Sequence, residues 1–201
     1  AIPPLRAPPQ HGGVEQHVAQ IAERRGNRGH DVTVIAADAR SESDRRQRRN
    51  SVDIHRVRSF APDGAGHLAP GVATTLARLD ADIVHAHNYH SFPLTISALS
   101  LAARRAATPF VATPHYHGSS DSSLRNRLLL LYAPLGRRAL RRASAVIAVS
   151  ERERRQLGQD LGVEAQVTDT GSHVNRFRTT TPDPQDRPYL LTAVGPRSPH
   201  K

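Results

Sequence analysis

Two histidine pairs with a one-residue spacing, His85-Ala86-His87 and His115-Tyr116-His117, are the groups in this chain best suited to chemistry, and His90 lies close to the first pair. Each pair follows or closes a short apolar run, Ala81–Ala86 and Phe110-Val111-Ala112, that reads as a buried strand. Open α/β sheets bind ligands beyond the ends of their parallel strands, so all five imidazoles are expected to line a crevice there. Alternate residues at a strand end can converge on an ion. Neither pair has a carboxylate or a further histidine at ligand spacing, however, so no metal is assigned and the expected role is hydrogen bonding to hydroxyls or phosphate oxygens.

Gly12-Gly13 opens a segment with Val14, Val18, Ile21 and Ala22 at helical spacing. A helix that begins on two glycines presents free N–H groups and the positive end of its dipole, with no side chain in the way, so it can cradle a phosphate. A glycine pair at a helix start is also an ordinary loop-to-helix turn, and this one is not a G-x-G-x-x-G fingerprint. A second basic feature combines Leu124, Leu128, Leu131 and Leu135 with Arg125, Arg127, Arg137, Arg138, Arg141 and Arg142. Such a stripe can lie on an anionic bilayer, although packing of the leucines into the core is the usual fate of an amphipathic helix, and that is the reading preferred here.

The elements that must position these groups alternate in type. After the first helix come the strand Val32–Ile35, a second strand Val52–Val57, and a helical face formed by Leu68, Val72, Leu76 and Leu79. A helix from about Phe92 to Ala107 leads to the strand at 110–112, and a long helix from about Ser122 to Arg142, interrupted by Pro134, leads to Ala145–Val149. A helix over 151–161, a strand over 164–168 and a late strand Tyr189–Val194 complete the series. Strands separated by helices imply right-handed crossovers and a Rossmann-like α/β fold, a parallel sheet with helices on both faces. Arg40–Asn50, with five arginines, two acids and no apolar residue, is expected to be a solvated loop. Four prolines within residues 1–11 make a tail, and the polar, proline-rich 178–188 reads as a linker.

Composition narrows the classes further. The 201 residues are 37% hydrophobic but only 4% aromatic, so the core must be built from aliphatic layers. Without cysteine, disulfides and thiolate metal sites are excluded. No run of about 18 apolar residues is present to span a bilayer. Lys201 is the only lysine among 28 basic residues, and the net charge of +10 favours anionic partners. Nucleic acid is not expected among them, because the charge is scattered and no stacking aromatics accompany it.

The segment HGGVEQHVAQIAERRGNRGHDVTVIAAD at 11–38 resembles the opening of family 4 glycosyltransferases. Further similar segments follow in order: ADIVHAHNYHS at 81–91, TPFVATPHYHG at 108–118, RRASAVIAVSERE at 141–153, GSHVNRF at 171–177 and YLLTAVGPRSPHK at 189–201. The resemblance implies the N-terminal, acceptor-side half of a GT-B fold over residues 12–177, with the first strand of a donor domain at 189–201. It implies transfer of a sugar from a nucleotide-sugar donor to a sugar, lipid-linked or small-molecule acceptor, with retention and without cofactor or metal. His115 matches the histidine that contacts the transferred sugar, and is the catalytic candidate. Gly12, Gly13, Arg197 and Lys201 are the donor-phosphate candidates, and His85, His87, His90 and His117 line the cleft. Ser150 falls in the family's VS-x-x-E segment as a helix cap. The expected location is cytoplasmic, with peripheral contact to the inner face of the membrane as the alternative.

Departures from the pattern carry expectations of their own. AIPPLRAPP stands where the family has a hydrophobic central strand, and Pro196 stands where it has an arginine, with Arg197 one position late. No E-x7-E segment follows Lys201. The chain by itself is therefore expected to lack turnover, and an acceptor-binding module without activity is the alternative reading.

Overall fold

The computed structural model describes residues 13–39, 44–61, 66–118, 123–168 and 171; for residues 123–125 it describes the backbone alone. The chain divides into two compact units, 1–170 and 171–201, and every described residue except Gly171 belongs to the first. Gly12, Arg197, Lys201, the tail at 1–11, the linker at 178–188 and the strand expected at 189–194 lie outside the described residues.

Helix α1 (Gly13–Gly26) is followed by strands β1 (Val32–Asp38), β2 (Arg45–Arg49) and β3 (Val52–Arg58). After the short helix α2 (Gly71–Leu76), strand and helix alternate: β4 (Val84–His87), α3 (Phe92–Ala103), β5 (Phe110–Thr113), α4 (Ser123–Arg141) and β6 (Ala145–Ala148). Helix α5 (Glu151–Gln156) continues into a π-helical turn, Leu157–Leu161, before the two-residue strand β7 (Gln166–Val167).

The strands form two ladders. β4, β5, β6 and β7 pair in that order, all parallel. β1 pairs in parallel with β3, which carries β2 antiparallel on its other side. Among the described residues, β1 and β4 are each paired on one side only. Aliphatic side chains make the core, as the composition requires. Leu94, Ala98, Leu101, Phe110, Ala112, Leu140, Ala148, Leu157 and Leu161 pack around the β4–β6 ladder. Val18 and Ala22 of α1 cover Val34, Val52 and Ile54 of the other. Ile35 packs against the first cluster and also against Val57 and Val72, joining the two halves.

Three local expectations are corrected. The arginine-rich run is not all loop, because Arg45–Arg49 forms an edge strand on β3. An edge strand needs only one partner and no buried face, and charged side chains there discourage pairing with another chain. The turn is made by Asn50 at φ 53°, and Arg48 meets Asp53 at 3.3 Å. Second, α4 runs unbroken through Pro134. The proline removes a bond to the carbonyl of Leu130, a residue 74% exposed, where water can replace it.

The third correction concerns which face of α4 is buried. Tyr132, Ala133, Ala139 and Leu140 pack on the core, and Gly136 lies so close to Tyr89 that a Cβ would stand 2.6 Å from its ring. Leu128, Leu131 and Leu135 of the expected stripe, together with Leu130, face solvent, with Leu131 79% exposed. The buried face of α4 is made by Tyr132, Gly136, Ala139 and Leu140, and the leucines of the expected stripe are left outside.

Candidate active site at the strand ends

The parallel register places His85 opposite Val111 and His87 opposite Thr113, so both histidines stand on the same face near the end of β4. Their rings lie 4.2 Å apart. His85 keeps one edge open to solvent, and its Nε2 shares a hydrogen bond of 2.8 Å with the buried Thr113 hydroxyl. The chain then leaves β4 through Asn88 at φ 70° and leaves β5 through buried Pro114 and His115 at φ 49°. Left-handed backbone at a non-glycine residue costs about 1 kcal/mol and is held only where the surroundings impose it.

Those surroundings are visible. The Asn88 and Tyr89 amides donate to the carbonyls of Thr113 and Pro114 at 3.1 and 2.7 Å, lacing the two loops together. Immediately after His115, the Tyr116 amide donates to Oε1 of Glu153 at 2.7 Å, and the Val149 amide donates to Oε2 at 2.7 Å. Glu153 is only 3% exposed. Its own amide donates to the Ser150 hydroxyl at 3.2 Å, which confirms Ser150 as the cap of α5. One buried carboxylate thus ties the ends of β5 and β6 and holds the turn that presents His115.

This arrangement brings Nδ1 of His87 to 3.4 Å from Nε2 of His115. A third imidazole that the spacing of the pairs did not reveal joins them. His17, one helical turn beyond Gly13 on α1, has its ring centroid 5.3 Å from that of His115 and 5.7 Å from that of His87. It lies one turn from the helix start, on the same face as Gly13, but nothing in the sequence places it beside His87 and His115. His90 and His117 form a separate neighbouring pair, with centroids 4.0 Å apart and His90 stacked on Tyr116.

Burial, reinforced by the neighbouring imidazoles, pushes His115 and His90 down to about 4 and holds His87 well below the ordinary histidine range. Burial also lowers His85 and His17. At neutral pH His17, His85, His87, His90 and His115 are therefore uncharged imidazoles, each with one N–H donor and one lone pair. Helix α1 points its N-terminus to the same end of the fold. Among the described residues, a Cβ on Gly13 would meet nothing within 4 Å.

No curated protein matches this sequence. The model of Glycosyltransferase Family 4 matches residues 11–170, which span α1, both ladders and all six histidines of the strand-end cluster, and the chain belongs to that family.

Proposed function

We propose that this domain supplies the acceptor-side wall of a transfer site in which a sugar moves from a nucleotide-sugar donor to an acceptor with retention. The observation that supports this most is the convergence of His115, held in a left-handed turn after β5, with α1, whose first described residue is Gly13. In the reaction the bond from the anomeric carbon to the diphosphate breaks and a bond to the acceptor oxygen forms on the same face. The acceptor's proton leaves with the departing phosphate. His115, uncharged at neutral pH, donates a hydrogen bond to a hydroxyl of the transferred sugar and fixes it where charge develops. Gly13 approaches the donor phosphates through its backbone N–H group; Gly12, Arg197 and Lys201, the other donor-phosphate candidates, lie outside the described residues. His85, His87, His90 and His117 line the cleft.

The acceptor, on this reading, is presented at an anionic lipid surface. Leu128, Leu130 and Leu131 are all more than half exposed on α4, and Arg137, Arg138 and Arg141 of the same helix, with Arg142 just after it, line a groove beside Pro134. Leucines at an interface and guanidinium groups at phosphates make a surface anchor. No helix among the described residues is long and apolar enough to cross a membrane.

The test is titration of the chain with a panel of nucleotide sugars, read by the imidazole NMR signals, together with transfer to labelled acceptors by a complete enzyme carrying this domain, with the anomeric configuration of the product. Shifts of His115 specific to one sugar, together with a retained product, support the assignment. Binding of acceptor with no response to any donor makes the domain an acceptor-binding module, and silence of His115 towards every sugar removes it from the site.

A further inference from the structure

Neither histidine pair has a third metal ligand at the right spacing in sequence. In three dimensions the third ligand comes from α1. We propose that His17, His87 and His115 form a three-imidazole site for a divalent transition metal of the zinc class. Three separate elements, α1, the end of β4 and the turn after β5, each contribute one nitrogen, and all three nitrogens lie within 4.8 Å of one another. Tetrahedral zinc with nitrogens at about 2.05 Å sets neighbouring ligand atoms about 3.4 Å apart. His87 Nδ1 and His115 Nε2 already stand at that separation, 3.4 Å. Only the His17 ring has to close in, by roughly an ångström, which a small side-chain rotation on a surface helix supplies.

The ligand set also selects the metal. Among the described residues the group offers imidazole nitrogens and no carboxylate, and such a set suits zinc, copper, nickel or iron and disfavours magnesium and calcium, which require oxygen ligands. His85 is not a fourth ligand, because its Nε2 is engaged with the Thr113 hydroxyl, but its ring packs against His87 and helps to fix the orientation of that ligand. Three protein ligands leave a tetrahedral ion one open position, and the ion's uncompensated charge makes that position a place for water or an anion. The imidazoles are uncharged at neutral pH, so the metal displaces few protons when it binds.

If His115 contacts the transferred sugar as proposed above, the metal and the sugar compete for the same ring, and zinc inhibits transfer. That consequence rests on the functional reading; the metal site itself does not, and its test uses no activity. Untagged chain, stripped with chelator and dialysed, is titrated at pH 7 with cobalt(II) and with zinc. One equivalent of cobalt giving the intense visible bands of a tetrahedral complex, displaced by zinc, is expected. Single His17→Gln, His87→Gln and His115→Asn variants should each weaken zinc binding at least about tenfold. A His117→Gln variant, which alters the neighbouring histidine pair, should bind as the parent does. Melting temperatures with and without zinc show that each variant is folded, and the rise on adding zinc should vanish in the three ligand variants. Undiminished binding by His17→Gln, an equal loss in His117→Gln, or octahedral cobalt spectra throughout would overturn the site.

Discussion

Glu153 and Tyr116 are joined by a 2.7 Å hydrogen bond from a backbone amide to a buried carboxylate oxygen, across a separation of 37 residues. The other oxygen holds Val149, so loss of the carboxylate strands two amides at the ends of adjacent strands. Glu153→Ala should destabilise the fold by about 2–4 kcal/mol, from the two charge-assisted bonds less what water recovers. Glu153→Gln should behave almost as badly, because its NH2 group would face an N–H. A positioning role predicts more than lost stability: in folded Glu153→Gln at low temperature, the imidazole signals of His115 and His117 should shift while those of His55 on β3 do not. Unmoved His115 signals would make Glu153 a purely structural residue.

His115→Asn separates chemistry from backbone strain. Asparagine tolerates the left-handed conformation that His115 adopts at φ 49°, whereas alanine pays for it. In a complete enzyme carrying this domain, both variants should lower kcat by at least about tenfold, as expected for loss of a contact made in the transition state. Only the alanine variant should also lower Tm. Wild-type turnover by His115→Asn would remove His115 from the reaction.

The strand ends were legible in the sequence because each histidine pair adjoins a short apolar run between helical segments, and β4 and β5 carry them as that pattern implies. His17 was not, because its partners are 70 and 98 positions away and only the packing of α1 on β1 and β3 brings it to them. Glu153 stands in the first turn of α5, and nothing local says that its carboxylate turns back to the β5 turn. The Arg45–Arg49 strand escaped for a different reason, since an edge strand with one partner and no buried face has no hydrophobic period to read. The periodic leucines of α4 misled in the opposite direction. Amphipathic spacing marks an apolar face without saying what covers it, and here the core took Ala139, Leu140 and Gly136 instead.

The imidazole cluster gives the metal-free protein a characteristic acid sensitivity. His115 and His90 titrate at about 4 in the folded chain, and an unfolded histidine titrates at about 6.5. Above pH 7 neither state holds the protons and these groups leave stability independent of pH. Between about pH 6.5 and 4 the unfolded chain binds protons that the folded chain refuses, so stability falls as pH falls through that window. In chelator, Tm should drop by roughly 5 °C between pH 7.5 and pH 5, before most carboxylates titrate. His90 faces His117, Tyr116 and Tyr89, and His90→Phe keeps the stacking while removing one titrating ring, so its profile should be shallower. A Tm constant to pH 5 would mean that the rings accept protons freely within the fold.

The exposed face of α4 makes the lipid-surface reading quantitative. Burying a leucine side chain fully contributes about 1.5–3 kcal/mol, and a basic residue at an anionic surface about 1 kcal/mol, the latter screened by salt. Leu130 and Leu131, 74% and 79% exposed, have little to lose from the core, so Leu130→Gln/Leu131→Gln should leave Tm unchanged. The same pair should weaken binding to vesicles rich in anionic phospholipid by at least about tenfold if even half of their side-chain area enters the interface. Arg138→Gln/Arg142→Gln alters two arginines that line the groove beside Pro134 and spares Arg137, which donates to the Asp160 carbonyl at 3.3 Å. That variant should lose affinity at low salt and show a flatter salt dependence, while the leucine variant keeps the parent's slope. Co-sedimentation with anionic and with neutral vesicles at two salt concentrations reads all of these. Equal partitioning of the parent chain to the two kinds of vesicle, or identical behaviour of parent and leucine variant, would show that α4 carries no lipid anchor.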